Sequence, residues 1–347
     1  MTRVSGLLLL PLMSASIGHA ANYSARKTSV DGVDVVRLTD AARKVQVSIA
    51  TSIGNIAYEM KVNGKNALWT PFHSLSEFAA QPALSGVPFL APWANRLDQP
   101  AFYANGKKYR LNPDLGNLRL DGNQLPIHGL LIFSKLWKVM EATADDHSAH
   151  VTSHLEFWRY PELMAQFPFA HTIEMTYRLA DGVLEVQTAL RNHALEPMPV
   201  SIGYHPYFQI HDAPRDQWKV HLAAREVLTL SKTLIPTGES KPLSLPDPLP
   251  LKGTQLDTVF GGLVRGTDNR AEFWVQGNAE KISVIYGPKY TVAVSYAPAG
   301  KDFICFEPMT ALTNGMNLAH SGIYKNLQSV APGNEWRESF WIRTSGF

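Results

Sequence analysis

The sequence predicts an all-β protein, a large antiparallel β-sandwich, and three observations support this prediction. Apolar and polar residues alternate along runs such as 172–179 and 183–190, which is the pattern of a strand with one buried face. Asp-Gly or Asn-Gly dipeptides separate several such runs, and these dipeptides favour hairpin turns. No stretch keeps the apolar periodicity of a helix over three turns. Short strands with frequent turn signals are typical of sandwiches.

Three hairpins are predicted, at Asn63-Gly64, Asn105-Gly106 and Asp181-Gly182, because strand-like runs flank each dipeptide. The other predicted strands are 45–50, 149–158, 218–223, 271–275, 281–286, 291–296, 303–307 and 335–343. Residues 236–253 are rich in Pro and Leu, and we interpret them as an extended surface excursion. No linker-like change of composition divides the chain, so residues 21–347 are predicted to form one domain.

The first twenty residues differ in composition from the rest. Arg3 precedes the apolar run 7–13, and Gly18-His19-Ala20 supplies the small residues that a signal peptidase requires. The run is too short to span a bilayer as a permanent helix. We interpret residues 1–20 as a cleaved secretory signal, with a weak membrane anchor as the alternative. This predicts a periplasmic or secreted protein that starts near Ala21 and has no membrane contact after cleavage.

Composition and missing motifs exclude several classes of protein. The net charge is only +2, from 32 Lys and Arg against 30 Asp and Glu. The sequence also has no cluster of basic residues that could bind along a phosphate backbone, so no nucleic-acid partner is predicted. The sequence contains no cysteine ligand set, His-Glu-x-x-His motif, P-loop or Gly-x-Ser-x-Gly elbow, and no metal site is predicted. The single cysteine, Cys305, has apolar neighbours and is interpreted as a buried, inert thiol.

Two residues have the chemistry of a proton-transfer pair. His205 lies in the aromatic stretch 203–208, where Pro206 restricts the preceding backbone to extended conformations. Glu307 ends the apolar strand 303–307, where a carboxylate is costly unless it is paired or used. An imidazole and a carboxylate together can give and take a proton in one turnover. A core histidine with satisfied hydrogen bonds and a strand-end glutamate that reaches solvent would be the purely structural interpretation.

Four further residues are candidates for ligand binding. Arg96 presents a planar fork of donors suited to two neighbouring sugar oxygens, and Asn95 before it can both donate and accept. His128 precedes Gly129, where a tight turn would expose its ring. Asp257 is a polar residue among apolar ones and could accept hydrogen bonds from hydroxyl groups. Taken singly, a surface salt bridge explains the arginine, and structural roles explain His128 and Asp257.

Together these motifs resemble the aldose 1-epimerase (galactose mutarotase) family, from about residue 57 to residue 347. The resemblance rests on six segments in order, namely 95–97, 109–112, 127–129, 235–239, 256–260 and 307–308. It implies a galactose mutarotase-like supersandwich with a sugar cleft on one concave sheet. By position, Glu307 corresponds to the general base and His205 to the general acid of the family. Arg96, His128 and Asp257 fall on the positions that hold substrate hydroxyls.

The resemblance further implies interconversion of the α and β anomers of a free monosaccharide, without metal or organic cofactor, by a monomer or homodimer. Two departures concern the substrate. Residues 204–208 read Tyr-His-Pro-Tyr-Phe rather than Asn-His-Thr-Tyr-Phe, and Leu130 replaces the second glycine of His-Gly-Gly. The His-Pro-Tyr-Phe form is also similar to hexose-6-phosphate epimerases, which need extra cationic residues. The predicted export signal argues against them, because sugar phosphates are mainly cytoplasmic.

Two further classes of protein use similar sandwiches, namely carbohydrate-binding proteins without activity and glycosidases or polysaccharide lyases. A binding protein needs neither a strong acid nor a strong base, and a glycosidase needs two carboxylates, of which only Glu307 has an obvious role. The presence of both His205 and Glu307 therefore favours the epimerase.

The same two residues predict a bell-shaped pH profile. Mutual attraction would stabilise the charges of Glu307 and His205, whereas burial among Tyr204, Tyr207 and Phe208 would oppose them. The sequence does not rank these two effects.

Overall fold

A computed structural model describes residues 22–347, and the segment interpreted as a secretory signal, 1–20, lies outside the described residues. Strands dominate the described chain and confirm the all-β prediction. Within residues 22–347, helix is confined to α1 (Leu75–Ala80), α2 (Pro161–Met164), α3 (Gly315–His320) and three 3₁₀ turns at Pro113–Leu115, Phe157–Arg159 and Arg215–Gln217. No helix in this part of the chain is long and apolar enough to cross a membrane.

The strands of the first half are β1 (Tyr23–Val30), β2 (Val33–Asp40), β3 (Val45–Ala50), β4 (Ile56–Val62), β5 (Lys65–Asn66), β6 (Phe89–Leu90), β7 (Ala101–Ala104), β8 (Lys107–Arg110), β9 (Lys138–Ala144), β10 (Ala149–Glu156), β11 (His171–Ala180), β12 (Val183–Asn192) and β13 (Met198–Val200). Those of the second half are β14 (Gly203–Tyr204), β15 (Tyr207–Phe208), β16 (Lys219–His221), β17 (Ala224–Leu230), β18 (Pro236–Pro242), β19 (Leu249–Pro250), β20 (Leu256–Leu263), β21 (Ala271–Gln276), β22 (Lys281–Tyr286), β23 (Val292–Ala297), β24 (Ile304–Met309), β25 (Gln328–Val330) and β26 (Glu335–Ser345).

Three large antiparallel sheets contain most of the strands in the described part of the chain. Five strands pair in the order β1-β2-β3-β4-β5, and nine in the order β19-β16-β21-β22-β26-β12-β11-β10-β9. The third sheet has eight strands, β18-β17-β20-β23-β24-β14-β6, with β15 also paired to β24. Two small sheets, β13-β25 and β7-β8, complete the fold. One continuous apolar core contains side chains from all three large sheets, such as Val47, Phe273 and Phe306.

The three predicted hairpins are present, because β4-β5, β7-β8 and β11-β12 pair across the predicted dipeptides. The predicted strand 149–158 is too long, since a 3₁₀ turn begins at Phe157. Among the longer strands, β1, β2, β9, β17 and β20 were not predicted from the sequence. Two of these, β1 and β9, carry mostly exposed or half-buried side chains. They do not show the alternation of a half-buried strand, and their pairing is imposed by neighbouring strands rather than by their own pattern.

The segment 236–253 is more regular than the predicted surface excursion. It is largely exposed, as expected, but it contains β18 at the edge of the eight-stranded sheet and β19 at the edge of the nine-stranded sheet. The segment therefore runs from the edge of one sheet to the edge of the other. Exposed polar side chains such as Glu239 and Lys241 are the residues that keep an edge strand from pairing with other chains.

The alternation predicted for 303–307 is also present. Ile304 and Phe306 belong to the main core. Phe303 and Cys305 form a separate apolar cluster on the opposite face of the eight-stranded sheet. Cys305 is fully buried, as predicted, and burial raises the pKa of its thiol. This second face of the sheet, turned away from the main core, carries the candidate site.

Candidate active site

Strand register brings His205 and Glu307 together. Gly203 pairs with Met309 and Tyr207 pairs with Cys305, so the same antiparallel register sets His205 directly opposite Glu307. Directly opposed residues on one face are the closest side-chain neighbours in a sheet. The His205 Nε2 atom lies 3.2 Å from the Glu307 Oε1 atom, and the two side chains are 8% and 2% exposed.

The next strands extend this arrangement into two rows across the sheet. Glu307 pairs with Val294 of β23, and Tyr296 of β23 pairs with Asp257 of β20. One row therefore runs from His205 through Glu307 to Val294. The neighbouring row contains Tyr207, Cys305, Tyr296 and Asp257. Asp257 is exposed at the end of this row, so a carboxylate borders the buried pair.

Only one of the three aromatic neighbours expected around His205 contacts its ring. Tyr207 stacks on the imidazole, with ring centroids 4.7 Å apart and planes 10° apart. Tyr204 packs instead on Phe340 in the main core, and Phe208 also belongs to that core. The expectation of burial among all three aromatics was wrong for Tyr204 and Phe208, because successive side chains of an extended segment point to opposite faces.

Asn95 and Arg96 approach the pair from a loop that follows β6. Asn95 adopts a left-handed conformation, with φ +57°, which asparagine tolerates better than most residues. Its side-chain oxygen accepts hydrogen bonds from the backbone N–H of Arg96 (2.9 Å) and from Arg96 Nη1 (3.0 Å). Arg96 Nε donates to Asp121 Oδ2 at 2.7 Å. Asn95 therefore holds the Arg96 side chain in place in addition to lining the cleft.

The turn at His128-Gly129 places a second imidazole beside that of His205. The backbone N–H of His128 donates to Asn95 O at 2.8 Å, and the imidazole stands nearly perpendicular to that of His205, with centroids 5.5 Å apart. Gly129 has φ +67°, and a Cβ atom at this position would lie 2.1 Å from Ala91 O. The turn that presents His128 therefore requires glycine both for its dihedral angle and for the close approach of two backbone segments.

Replacing Gly129 with Ala is expected to destabilise the fold by roughly 3 kcal/mol or more, because strain and a backbone clash add. Gly116→Ala is the matched control, since Gly116 has φ +66° and open space around its Cβ position. That variant should lose only the about 1–2 kcal/mol of a left-handed residue. Urea denaturation measures both changes. Equal losses in the two variants would show that the contact with Ala91 contributes nothing.

All six candidate residues line a single cleft of about 230 Å³. Its walls are Leu84, Asn95, Arg96, Ile127, His128, His205, Tyr207, Asp257, Val294, Tyr296 and Glu307.

Two residues of the site were not predicted from the sequence, namely Tyr296 and Asp121, which forms an ion pair with Arg96. The alternation of 291–296 places Tyr296 on one face with Val294, but strand register was needed to identify that face. No group of three or more His, Cys, Asp or Glu side chains suited to a metal ion occurs within residues 22–347.

Burial dominates the electrostatics of the pair. It lowers the pKa of His205 to about 3, together with the smaller effect of the Arg119 charge. Burial also raises the pKa of Glu307 well above its usual value, the negative charge of Asp257 adds to this rise, and Arg96 opposes it. Burial therefore disfavours two states of the pair. These are the state with two protons, which has a net positive charge, and the state with no proton, which has a net negative charge. A single proton shared across the 3.2 Å contact leaves it neutral.

Three buried polar atoms of the cleft lack a hydrogen-bond partner within residues 22–347. They are Glu307 Oε2, His128 Nδ1 and His205 Nδ1. An unsatisfied buried polar group costs about 1–3 kcal/mol, and a catalytic role is one explanation for such a group. Burial, the charge of His205 and the charges of two arginines lower the pKa of His128, so its ring is neutral and one nitrogen can accept. The cleft thus suits a ligand that carries several hydroxyl groups.

The fold and the cleft define a β-sandwich protein with a buried histidine–glutamate pair in a small polar cleft. A family model described as aldose 1-epimerase matches residues 34–343, and the chain belongs to that family. It is 25% identical over 236 residues to the uncharacterized protein YihR of Escherichia coli (strain K12), which covers 66% of this chain and 70% of that protein.

Solved structures share the fold. A galactose mutarotase-like protein from Clostridium acetobutylicum is similar with a TM-score of 0.83 at 20% sequence identity, over 94% of this chain and 99% of the other. The galactose 1-epimerase of Lactobacillus acidophilus NCFM is similar with a TM-score of 0.70 at 14% identity, over 94% of this chain and 100% of the other. These structures establish a galactose mutarotase-like architecture for the chain.

Proposed function

We propose that the protein is an aldose 1-epimerase that interconverts the α and β anomers of a free aldose of the glucose or galactose type. The observation that carries this proposal is the 3.2 Å contact between His205 Nε2 and Glu307 Oε1 inside a polar cleft. The cleft volume of about 230 Å³ is below the ~300–1,000 Å³ of typical drug-sized sites. This size favours a monosaccharide over a longer saccharide.

The geometry of the pair suits the two oxygens bonded to the anomeric carbon. Glu307 takes the proton of the C1 hydroxyl while His205 protonates the ring oxygen, and the bond between C1 and the ring oxygen breaks to leave the open-chain aldehyde. Rotation about the C1–C2 bond presents the other carbonyl face. The reverse proton transfers then close the ring and return the pair to its starting state. Acid and base must be adjacent because both act on oxygens of the same carbon.

The neutral pair explains how both groups are ready at once. A protonated carboxyl beside a neutral imidazole and a carboxylate beside an imidazolium differ only in the position of one proton along the 3.2 Å contact. Burial disfavours each isolated charge, but it disfavours adjacent opposite charges much less. Sugar hydroxyls that bind to Glu307 Oε2, which has no partner among the described residues, stabilise the carboxylate form.

The remaining cleft residues bind and orient the sugar. Arg96 donates to two neighbouring oxygens, and Asn95 holds the arginine and can share the same ligand. The neutral His128 accepts from a hydroxyl group. Asp257, exposed at the border of the cleft, accepts from hydroxyls farther from C1. The chain's own side chains supply every proton transfer and hydrogen bond that this mechanism needs.

Epimerisation of a phosphorylated hexose is the second candidate, and one observation favours it. Arg119 is exposed, and its positive charge lowers the pKa values of both His205 and His128. A cation besides Arg96 therefore acts on the cleft and could pair with a phosphate. The carboxylate of Asp257 at the cleft border would repel a phosphate group, and this supports an uncharged substrate.

We further propose that the protein is exported and that it acts on free aldoses outside the cytoplasm. This proposal rests on the composition of residues 1–20, which has the charge, apolar run and small residues of a secretory signal. It supports the free sugar over the phosphorylated one. No partner beyond the monosaccharide is proposed, and the chain is expected to act as a monomer or homodimer.

Polarimetry of freshly dissolved α-glucose, α-galactose and a few pentoses should show accelerated relaxation with the purified protein for at least one sugar. α-Glucose 6-phosphate is run in parallel, and the Glu307→Gln variant serves as the control. Acceleration of the phosphosugar alone would select the second candidate. If every sugar relaxes at its spontaneous rate while calorimetry detects binding, the protein is a carbohydrate-binding protein and not an epimerase.

A further inference from the structure

Arg96 forms an ion pair with Asp121, a residue that does not line the cleft. Its Nε donates to Asp121 Oδ2 at 2.7 Å, and the two side chains are only 16% and 6% exposed. Its Nη1 donates to Asn95 Oδ1 at 3.0 Å. A guanidinium has five N–H groups, and these two bonds use two of them. No other described residue accepts from the guanidinium, so three N–H groups remain for the cleft that Arg96 lines.

Asp121 is itself held firmly by its own loop. Its Oδ1 atom accepts from the backbone N–H groups of Asn123 (2.8 Å) and Leu125 (3.0 Å). Burial raises the pKa of Asp121, but the hydrogen bonds from Leu125, Arg96 and Asn123 outweigh it and lower the pKa below its usual value. One carboxylate oxygen therefore closes the loop and the other faces the arginine.

The loop also leads directly into the wall of the cleft. Leu97 N–H donates to Pro126 O at 2.9 Å, and Arg96 forms an isolated antiparallel bridge with Ile127. His128 follows immediately. The backbones of the two segments are thus paired, and the Asp121 carboxylate links their side chains. A change in this carboxylate reaches Arg96 by a direct bond rather than through the core.

We propose that Asp121 is a positioning residue whose carboxylate fixes the Arg96 guanidinium, so that the free N–H groups of Arg96 meet the hydroxyls of the sugar. This inference rests on the proposed function, in which Arg96 binds substrate. Arginine side chains have many rotamers, and binding a sugar with an unrestrained one would cost conformational entropy. The ion pair removes that freedom before the sugar arrives. It also balances the arginine charge, which suits neutral hydroxyls.

Asp121→Asn tests the inference. Asparagine keeps an oxygen for the turn but places an amide instead of a carboxylate beside Arg96 Nε. KM for the best aldose should rise about tenfold or more, as for a lost charged hydrogen bond, whereas kcat should change much less because the binding is lost in ground and transition states alike. The dissociation constant from calorimetry should rise in parallel with KM.

Asp145→Asn is the matched control. Asp145 also closes a turn by accepting from two backbone N–H groups, those of His147 (2.7 Å) and Ser148 (2.8 Å), but it does not line the cleft. This variant should lose stability in urea without any change in KM. An Asp121→Asn variant that loses stability but keeps its KM would have only a structural role, and the inference would be overturned.

A double-mutant cycle with Arg96→Ala separates an effect through Arg96 from an independent one. In the Arg96→Ala background, Asp121→Asn should raise KM no further. A full tenfold effect in that background would contradict positioning.

The proposed function fails separately, when the unmodified protein shows neither epimerase activity nor sugar binding, and that result would overturn this inference as well. Binding without turnover would still test Asp121 through the dissociation constant.

Discussion

Replacing Glu307 with Gln is expected to lower kcat by roughly 10²-fold or more while sugar binding is retained. The glutamine side chain would keep the shape of the buried glutamate and one oxygen, but it could not take the C1 hydroxyl proton. The pKa of Glu307 is raised by burial, so an uncharged amide should not destabilise the fold. Polarimetry gives kcat, calorimetry gives sugar affinity, and urea denaturation gives stability.

Glu280→Gln is the matched control for this substitution. Glu280 is also fully buried, but it pairs with Lys65 at 2.7 Å and is not part of the cleft. Its replacement should cost stability, because it breaks a partly buried ion pair, and it should leave kcat unchanged. Turnover near the unmodified level in the Glu307→Gln variant would remove Glu307 from the mechanism, whatever the control shows.

His205→Asn should abolish most of the activity and change the shape of the pH profile. In the unmodified protein, the active form of the pair carries one proton. The acid limb of kcat/KM reflects the addition of a second proton to the pair, and the alkaline limb reflects the loss of the first. Burial disfavours both resulting net charges. The acid limb should therefore lie below the reference Glu value of about 4.3 and the alkaline limb above the reference His value of about 6.5. The bell should be broad.

The variant isolates Glu307 as the remaining titrating partner. Residual activity should rise with pH through the raised pKa of Glu307 and then stay level, because the carboxylate is the active form of a base. Measurements of kcat/KM over the whole pH range in which the variant remains folded provide the test. An alkaline limb that persists unmoved in the residual activity would mean that another group protonates the ring oxygen. A narrow bell between the reference values in the unmodified protein would contradict the dominance of burial.

Local patterns were sufficient for the fold class and for much of the strand layout. The alternation around Asp181-Gly182 predicted β11 and β12 because a strand with one buried face imposes a period of two on its own sequence. The same rule placed Ile304 and Phe306 on one face of β24 and Glu307 on the other. It did not identify β1, β2, β9, β17 or β20. Of these, β1 and β9 carry exposed or half-buried side chains without a comparable pattern.

The sequence alone determined the set of candidate site residues, because proton-transfer and hydroxyl-binding chemistry is limited to a few residue types and these occur in a recognisable order. Only the tertiary structure decided how they meet. Register set His205 opposite Glu307, and loop pairing brought Asp121 behind Arg96. It also decided that burial outweighs mutual attraction in the charges of the pair. Desolvation and contact depend on residues that are distant along the chain, and no local pattern encodes them.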